Sequence, residues 1–387
     1  MALPLLLIFI ATSAAAVVAY GVHPDLAQYS SGLSIIIFSR RLMWPLISIS
    51  LILCIALIGM VIAGKRRAWW LIGLAPVLAL FVHRFGPGSP GPTGVIENPP
   101  FAAATDRANA PEAGDYVVGL IFEDRAYAFP YRALFVRPVV ALVDYDKRML
   151  LLWSAYANRA MAVNLTRDLR PRDLEVVSTP ANSLVVYDRR LGQFISGVTG
   201  QLLKGGEVIG FAKPIDTTKA TWSEWKNEHP DTQVMAGWNG ANLPSRPILP
   251  AFKMRVPPVP EIGTSVAMLA TTQPAAVRDD VKLELPANIT VGGTHVLLLR
   301  DRAGRLRAFD RHVKEDLFLT FEPARAARRR DAGLIDVDTQ SFWTSDGRAI
   351  DGPLKGERLR PIPLDGRLYW GVMKFWYPDL ELIEPGA

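Results

Sequence analysis

Few side chains in this chain combine a type and a spacing able to do chemistry. Asp188 and Arg189 stand side by side in Val185-Val-Tyr-Asp-Arg-Arg190. A carboxylate next to a guanidinium is either a functional pair or a salt bridge at a strand end, and the plainer reading is the salt bridge. Trp222 and Trp225 are three apart, so on a helix they share one face. That face could stack a planar ligand or pack as core. His229, His295 and His312 are each isolated in the sequence. A lone histidine usually hydrogen-bonds locally rather than ligating. Tyr187, Asp188, Arg189, Trp222, Trp225 and His229 are therefore the ligand-binding candidates, and no residue is assigned a catalytic role. There is no phosphate loop, glycine-rich dinucleotide fingerprint or paired-histidine zinc helix. The single cysteine, Cys54, allows neither an intrachain disulfide nor a cysteine zinc site. No cofactor and no metal is expected.

The element that must position two of these candidates is Thr221–Thr232, Thr-Trp-Ser-Glu-Trp-Lys-Asn-Glu-His-Pro-Asp-Thr. Thr221 and Glu224 have capping-box spacing, which predicts a helix from Trp222 to Glu228. Pro230 stops it. The same layout recurs at Trp370–Asp379, Trp-Gly-Val-Met-Lys-Phe-Trp-Tyr-Pro-Asp. Upstream, Gly200-Gln-Leu-Leu-Lys-Gly205 resembles Gly347-Arg-Ala-Ile-Asp-Gly352, and Val117–Pro130 resembles Val296–Phe309. Three matches in one order predict two related halves.

Between these landmarks the pattern is β-rich. Val117–Phe122, Arg125–Phe129, Val139–Val143, Met149–Trp153, Leu184–Asp188 and Glu207–Ala212 read as strands, as do Ile262–Leu269 and Val281–Leu285. Thr294–Arg300 and Leu306–Asp310 predict a hairpin with Gly304 in its turn. Residues 86–115 read as a Pro/Gly linker, 116–237 as a first half, 238–289 as a connector and 290–387 as a second half. Arg358–Pro361 and Arg367–Val372 read as late strand or helix. The basic run Arg325–Asp331 reads as a solvated loop.

Residues 1–85 are different. Ala2–Tyr20 is uncharged and long enough to span a bilayer, and it lacks the positive flank of a cleaved signal. Met43–Gly64 and Ala68–Val82 follow as second and third spans, with Gly21–Leu42 as a loop that touches the interface through Leu33–Phe38. The net charge is +6, yet these 85 residues hold six Lys/Arg and one acid, leaving 37 basic and 36 acidic residues elsewhere. The excess thus flanks apolar segments, which disfavours nucleic acid as a partner. Lys65-Arg66-Arg67 is the strongest positive cluster between spans and should stay in the cytoplasm, with everything after Arg84 outside it. Ser48, Ser50, Gly59 and Gly64 favour helix–helix contact along the second span.

Several of these motifs are long and ordered enough to mark a family. Tyr187-Asp-Arg-Arg-Leu-Gly-Gln-Phe194, Ser196-Gly-Val-Thr-Gly200, Thr221-Trp-Ser-Glu-Trp225 and His229-Pro-Asp-Thr232 closely resemble domain-of-unknown-function family 3179. Gly347-Arg-Ala-Ile-Asp-Gly-Pro-Leu-Lys-Gly356 and Phe375-Trp-Tyr-Pro-Asp379 resemble the ends of its members. The resemblance runs from Tyr116 to Leu382. It implies an uncharacterised bacterial or archaeal protein, often exported or membrane-attached, with no activity to carry over. Members typically carry Thr-Tyr-Cys-Pro-Leu-Cys, whose thiolates could bind a metal or cycle through a disulfide. The matching run here is Leu152-Trp-Ser-Ala-Tyr-Ala157, so the cysteine positions fall on Ser154 and Ala157. The resemblance therefore implies that this chemistry is lost here, and that the run packs as core.

The fold expected is thus N-terminal transmembrane α-helices plus a mainly β (α+β) soluble domain of two related halves. The function expected is a bacterial inner-membrane protein with a periplasmic binding or scaffolding domain. An enzyme, hydrolase or transferase, with a site between the halves using Asp188, Arg189 and His229 is the alternative. An accessory subunit of a membrane complex is a third reading. The expected partners are the lipid bilayer and other membrane proteins met through the helices.

Overall fold

A computed structural model describes residues 2–29, 31–86, 93–106, 108–165, 169–204, 207–211, 213–238, 242–248, 264–271, 273–279, 285–301, 304–314, 317–324 and 333–383. The chain divides into two compact units, Met1–Pro257 and Pro258–Ala387.

The first unit begins with apolar helices: α1 (Ala2–Tyr20), α2 (Gly32–Arg41), α3 (Met43–Ile62) and, after a 3-10 stretch at Ala68–Leu74, α4 (Ala75–Phe85). Three stretches are long and apolar enough to cross a membrane: Ala2–Tyr20, Met43–Ile62 and Ala68–Phe85. Leu6, Phe9, Ile52, Ile55 and Ile72 on these stretches are exposed. Small residues let α1 and α3 approach closely. Ala11 and Ala15 are buried, and the Ser50 hydroxyl donates to the Ala11 carbonyl at 3.0 Å. Gly64, at φ +70°, ends α3: its N–H reaches Val61 O, and the Lys65 N–H reaches Met60 O. This paired closure needs a left-handed residue, hence glycine. The segment expected as a loop between the first two spans contains α2. Its Ile36 and Ile37 are buried.

Three sheets follow. One runs in the order Thr217–Thr221, Tyr116–Phe122, Arg125–Pro130, Gln233–Met235, Phe101–Ala103. The second runs Pro214–Ile215, Arg159–Asn164, Lys147–Ser154, Val139–Asp144, Ile96–Glu97. The third runs Thr93–Gly94, Leu174–Ser178, Val185–Asp188, Gln193–Ser196, Gln201–Lys204, Glu207–Phe211. The second sheet is the middle layer. Met149, Leu151 and Trp153 pack with Val118, Leu120 and Phe129 of the first sheet, whereas Leu150 and Leu152 pack with Val186 and Ile195 of the third. Burial of both faces explains why Met149–Trp153 is continuously apolar, since alternating residues face two different cores. Helix α5 (Tyr131–Val136) follows Pro130 and contributes Tyr131 and Leu134 to the first of these cores. Helix α6 (Trp222–Glu228) covers another face, through Trp222, Trp225, Val117, Ala128 and Val234.

The second unit has its own layers. Its sheets run Leu364–Tyr369, Ser265–Leu269, Ala275–Arg278, Glu381–Ile383; then Ala287–Val291, Thr294–Arg300, Leu306–Asp310, Arg360–Ile362; then Phe321–Pro323, Leu334–Asp336, Phe342–Trp343, Ala349–Asp351. Val296 and Leu298 join one core and Leu297 and Leu299 the other. Helix α7 (Trp370–Trp376) buries Trp370, Val372, Met373 and Trp376.

Two expectations about connections need correction. Residues 86–115 are not a bare linker, because Ile96 and Phe101 lie in strands that extend sheets of the first unit. Residues 238–289 are not only a connector: Val266, Ala267, Ala276 and Val277 are buried in two paired central strands. Ile96–Glu97, Phe101–Ala103 and Ala275–Arg278 are too short to carry a strand pattern in sequence and are completed as strands by partners elsewhere in the chain. The run Arg325–Asp331 and most of Val281–Leu285 lie outside the described residues.

Candidate functional site

Three places gather the sequence candidates, all within the first unit. The most tightly built is the turn that joins Lys147–Ser154 to Arg159–Asn164. Ala155–Ala157 makes one 3-10 turn, and Asn158 closes it in the left-handed region at φ 48°, ψ 37°. Ser154, Ala157 and Asn158 are all buried. Hydrogen bonds tie the turn to its surroundings. The Ser154 hydroxyl oxygen accepts from the Leu184 N–H at 2.8 Å. The Asn158 side chain accepts from the Tyr131 hydroxyl at 2.8 Å, and its carbonyl accepts from the Lys219 ammonium at 2.7 Å. Arg159 donates to the Val198 carbonyl at 3.2 Å.

The Ser196–Gly200 motif wraps the same turn. The Ser196 hydroxyl accepts from the Val198 and Thr199 N–H groups, and the Gly197 N–H bonds Leu184 O. A Cβ at Gly197 would lie 2.9 Å from Leu184 O and 3.1 Å from the Ser154 hydroxyl, so only glycine fits easily. A second link runs to the membrane segment. Gln28 donates to the Thr179 carbonyl and accepts from the Asn182 N–H, each at 2.9 Å, holding the loop that leads into Leu184.

The second place is the Tyr187–Asp188–Arg189 strand end. Asp188 and Arg189 make no ion pair with each other among the described residues. Asp188 is buried, and its Oδ1 accepts from the N–H groups of Arg190 and Leu191 to shape its own hairpin. Arg189 is exposed and donates to the Arg172 carbonyl at 2.7 Å. Tyr187 lies under the Arg40 guanidinium of α2, 5.1 Å from its ring centre, and beside Phe194. Arg40 also pairs with Glu175, the cross-strand neighbour of Tyr187. Both side chains of this pair are at most 10% exposed. Burial pushes the Arg40 guanidinium below its ordinary value, and Tyr187 opposes that shift. Arg40, Glu175 and Gln28 are not legible in the sequence, because nothing local announces a partner so distant in the chain.

The third place is the end of α6. The capping box is present, with the Thr221 N–H donating to Glu224 at 2.8 Å and the Glu224 N–H to Thr221 at 3.4 Å. Trp222 and Trp225 are buried, so their shared face packs rather than stacking a ligand. Trp225 lies on Gly119, where a Cβ would fall 2.4 Å from the indole. Its Nε1 donates to Thr232 at 3.0 Å, and His229 lies 4.1 Å from the ring. The His229-Pro-Asp-Thr232 motif thus holds Trp225 in its slot. His229 also lines an open cleft of about 720 Å³ with Phe101, Asp124, Tyr127, Asp231 and Thr232.

In the second unit the histidines that stand apart in sequence share one aromatic neighbour. His295 and His312 flank Phe318 at 4.5 and 4.9 Å between ring centres.

These features define a class: a β-rich domain of layered sheets behind N-terminal helices apolar enough to cross a membrane. The particular family follows from its model, described as Protein of unknown function (DUF3179), which matches residues 94–380. The chain belongs to that family. No curated protein and no solved structure matches it.

Proposed function

We propose that the chain is a membrane-anchored binding or scaffolding protein whose β-rich domain lies outside the cytoplasm, fastened against the membrane segment. The observation that carries this reading is the buried Arg40–Glu175 pair, with Gln28 as a second fastening. A domain hung on a flexible tether would not need a buried ion pair to its anchor, since such pairs are costly to desolvate. The docked segment lies between two spans, and the domain follows the third. Both therefore belong on the side opposite Lys65-Arg66-Arg67, which argues for an external domain. A reporter active only outside the cytoplasm, fused after Ala387, tests this: it should be active, and activity of a cytoplasm-only reporter there would overturn it.

The hydrolase or transferase reading with Asp188, Arg189 and His229 in one site has less support, because each of the three serves a separate local structure. We also propose that the family's cysteine site is chemically silent here. The Ser154 hydroxyl is engaged with Leu184 and Ala157 offers only a methyl. Metal analysis of the purified chain checks this, and one transition metal per chain bound at the Ser154 turn would sink it.

We further infer that the two units are copies of one plan. In support, the strand order of the first sheet, leading through α6 into a parallel final strand, recurs through α7. The middle and third sheets follow corresponding orders. By strand order Ser265–Arg278 is the counterpart of Val117–Pro130, and Val296–Phe309 corresponds instead to the middle-sheet hairpin. The pairings of Gly200 with Gly347, at φ 71° and 75°, and of Trp222 with Trp370 keep the matches read in the sequence.

A further inference from the structure

Beside the fastened strand end is a cavity of about 420 Å³, lined by Ile37, Arg41, Tyr187, Phe194, Lys204 and Glu207, with Gly192 at its edge. Its depth follows from the chain. Arg41 stands two residues before Met43, the first residue of a membrane-length helix. Two residues reach at most about 7 Å, and the polar layer on each side of a bilayer is about 5–7 Å thick. Trp44, 70% exposed at the start of α3, is the residue type that marks this layer. The cavity therefore opens at headgroup depth if the helices span.

Its lining has two charges of one sign and one of the other. Arg41, Lys204 and Glu207 are exposed, and Lys204 and Glu207 are cross-strand partners on one hairpin. Guanidinium and ammonium groups together suit a phosphate. The carboxylate suits a ligand's ammonium. A cavity in this size range accommodates a small polar ligand.

We propose that this cavity is a phospholipid headgroup site selective for a zwitterionic phosphoethanolamine. Arg41 and Lys204 take the phosphate and Glu207 takes the terminal ammonium, while the acyl chains run beside α3. The inference rests on the membrane-anchored reading. A bound lipid would seat the domain on the bilayer surface at the point where α2 already holds it.

The test uses the full chain in detergent micelles and native mass spectrometry. Phosphatidylethanolamine or phosphatidylglycerol is added at defined ratios, with inorganic phosphate as the soluble competitor. The wild type should retain phosphatidylethanolamine. The double variant Arg41→Ala, Lys204→Ala should weaken that binding at least ten-fold. Glu207→Gln should weaken phosphatidylethanolamine several-fold and leave phosphatidylglycerol unchanged. Equal retention by wild type and double variant overturns the site, and so does displacement of the lipid by inorganic phosphate at matched concentration. Alkaline washing of native membranes separates the two readings. A double variant that stays membrane-bound but loses the lipid preference supports the site, whereas release of wild type by the wash would bring down the anchor and the site with it.

Discussion

The middle sheets of the two units each contain a hairpin at the same place in strand order, and the two turns could hardly differ more. In the first unit Ser154–Asn158 is buried and tied to Tyr131, Leu184 and Lys219. In the second unit the turn after Thr294–Arg300 is a charged surface turn. Asp301 accepts from the Arg305 backbone at 2.9 Å, from the Arg305 side chain at 2.9 Å and from Arg307 at 3.0 Å. Arg307 is 46% exposed there. Two hairpins at matching places in strand order thus carry a closed polar knot in one unit and a charge-paired Asp301 in the other. The difference shows how little the sheet dictates about its turns: the surrounding loops decide whether a turn becomes a site.

The largest test of this comparison concerns what the units should share. Trp222→Ala and Trp370→Ala each remove a buried indole from the helix that follows a sheet's edge strand, and each should cost about 3–5 kcal/mol. Chemical denaturation of the full chain, followed by hydrogen exchange in each unit, should place each loss in its own unit. A large loss at one tryptophan and none at the other would break the proposed equivalence. Next comes a feature that the first unit has without a counterpart. Arg40→Ala leaves Glu175 buried and unpaired, which should cost about 3 kcal/mol. The measurement is protease sensitivity of the domain in intact membranes, and unchanged protection would refute the fastening.

The turns themselves give smaller effects. Ser154→Ala strands the Leu184 N–H and should cost about 1–3 kcal/mol. Arg307→Ala, which removes one exposed partner of Asp301, should cost about 0–1 kcal/mol. Thermal melts that reverse this ranking would undo the contrast. The smallest effect is acid sensitivity. Burial raises the Asp301 carboxyl, but hydrogen bonds from Arg305 and Arg307 outweigh it and hold the carboxyl below its ordinary range. A lowered folded value means stability present above the unfolded value of about 3.9 and lost as pH falls through the folded one. Asp301→Asn should therefore flatten the second unit's acid transition below about pH 4, read by hydrogen exchange, while Ser154→Ala should leave it unchanged.

What could be read in the sequence follows from how local each signal is. Ala2–Tyr20, Thr294–Arg300, Leu306–Asp310 and Trp222–Glu228 form with the bounds expected, because composition, alternation or a capping box specifies them within a few residues. Phe101–Ala103 and Gln233–Met235 are not legible in the sequence because three-residue strands have no periodicity to detect, and both are completed only by partners distant in the chain. Of the candidate residues, Trp222 and Trp225 are core, and Asp188 shapes a turn. The contact of Tyr187 with Arg40 of α2 is not legible in the sequence. Asn158 and Lys219 carry no local sign that they will meet.

The fastening between Arg40 and Glu175 also has a consequence in time. The chain is made from its N-terminus, so α1, α2 and α3 are complete long before the strand bearing Glu175 emerges. Until then Arg40 has no carboxylate to pair with, its partner not yet synthesised. Burying it is therefore a late event of biogenesis. The N-terminal helices serve as a waiting half-site, and the first unit becomes whole only when its third sheet arrives and closes over it.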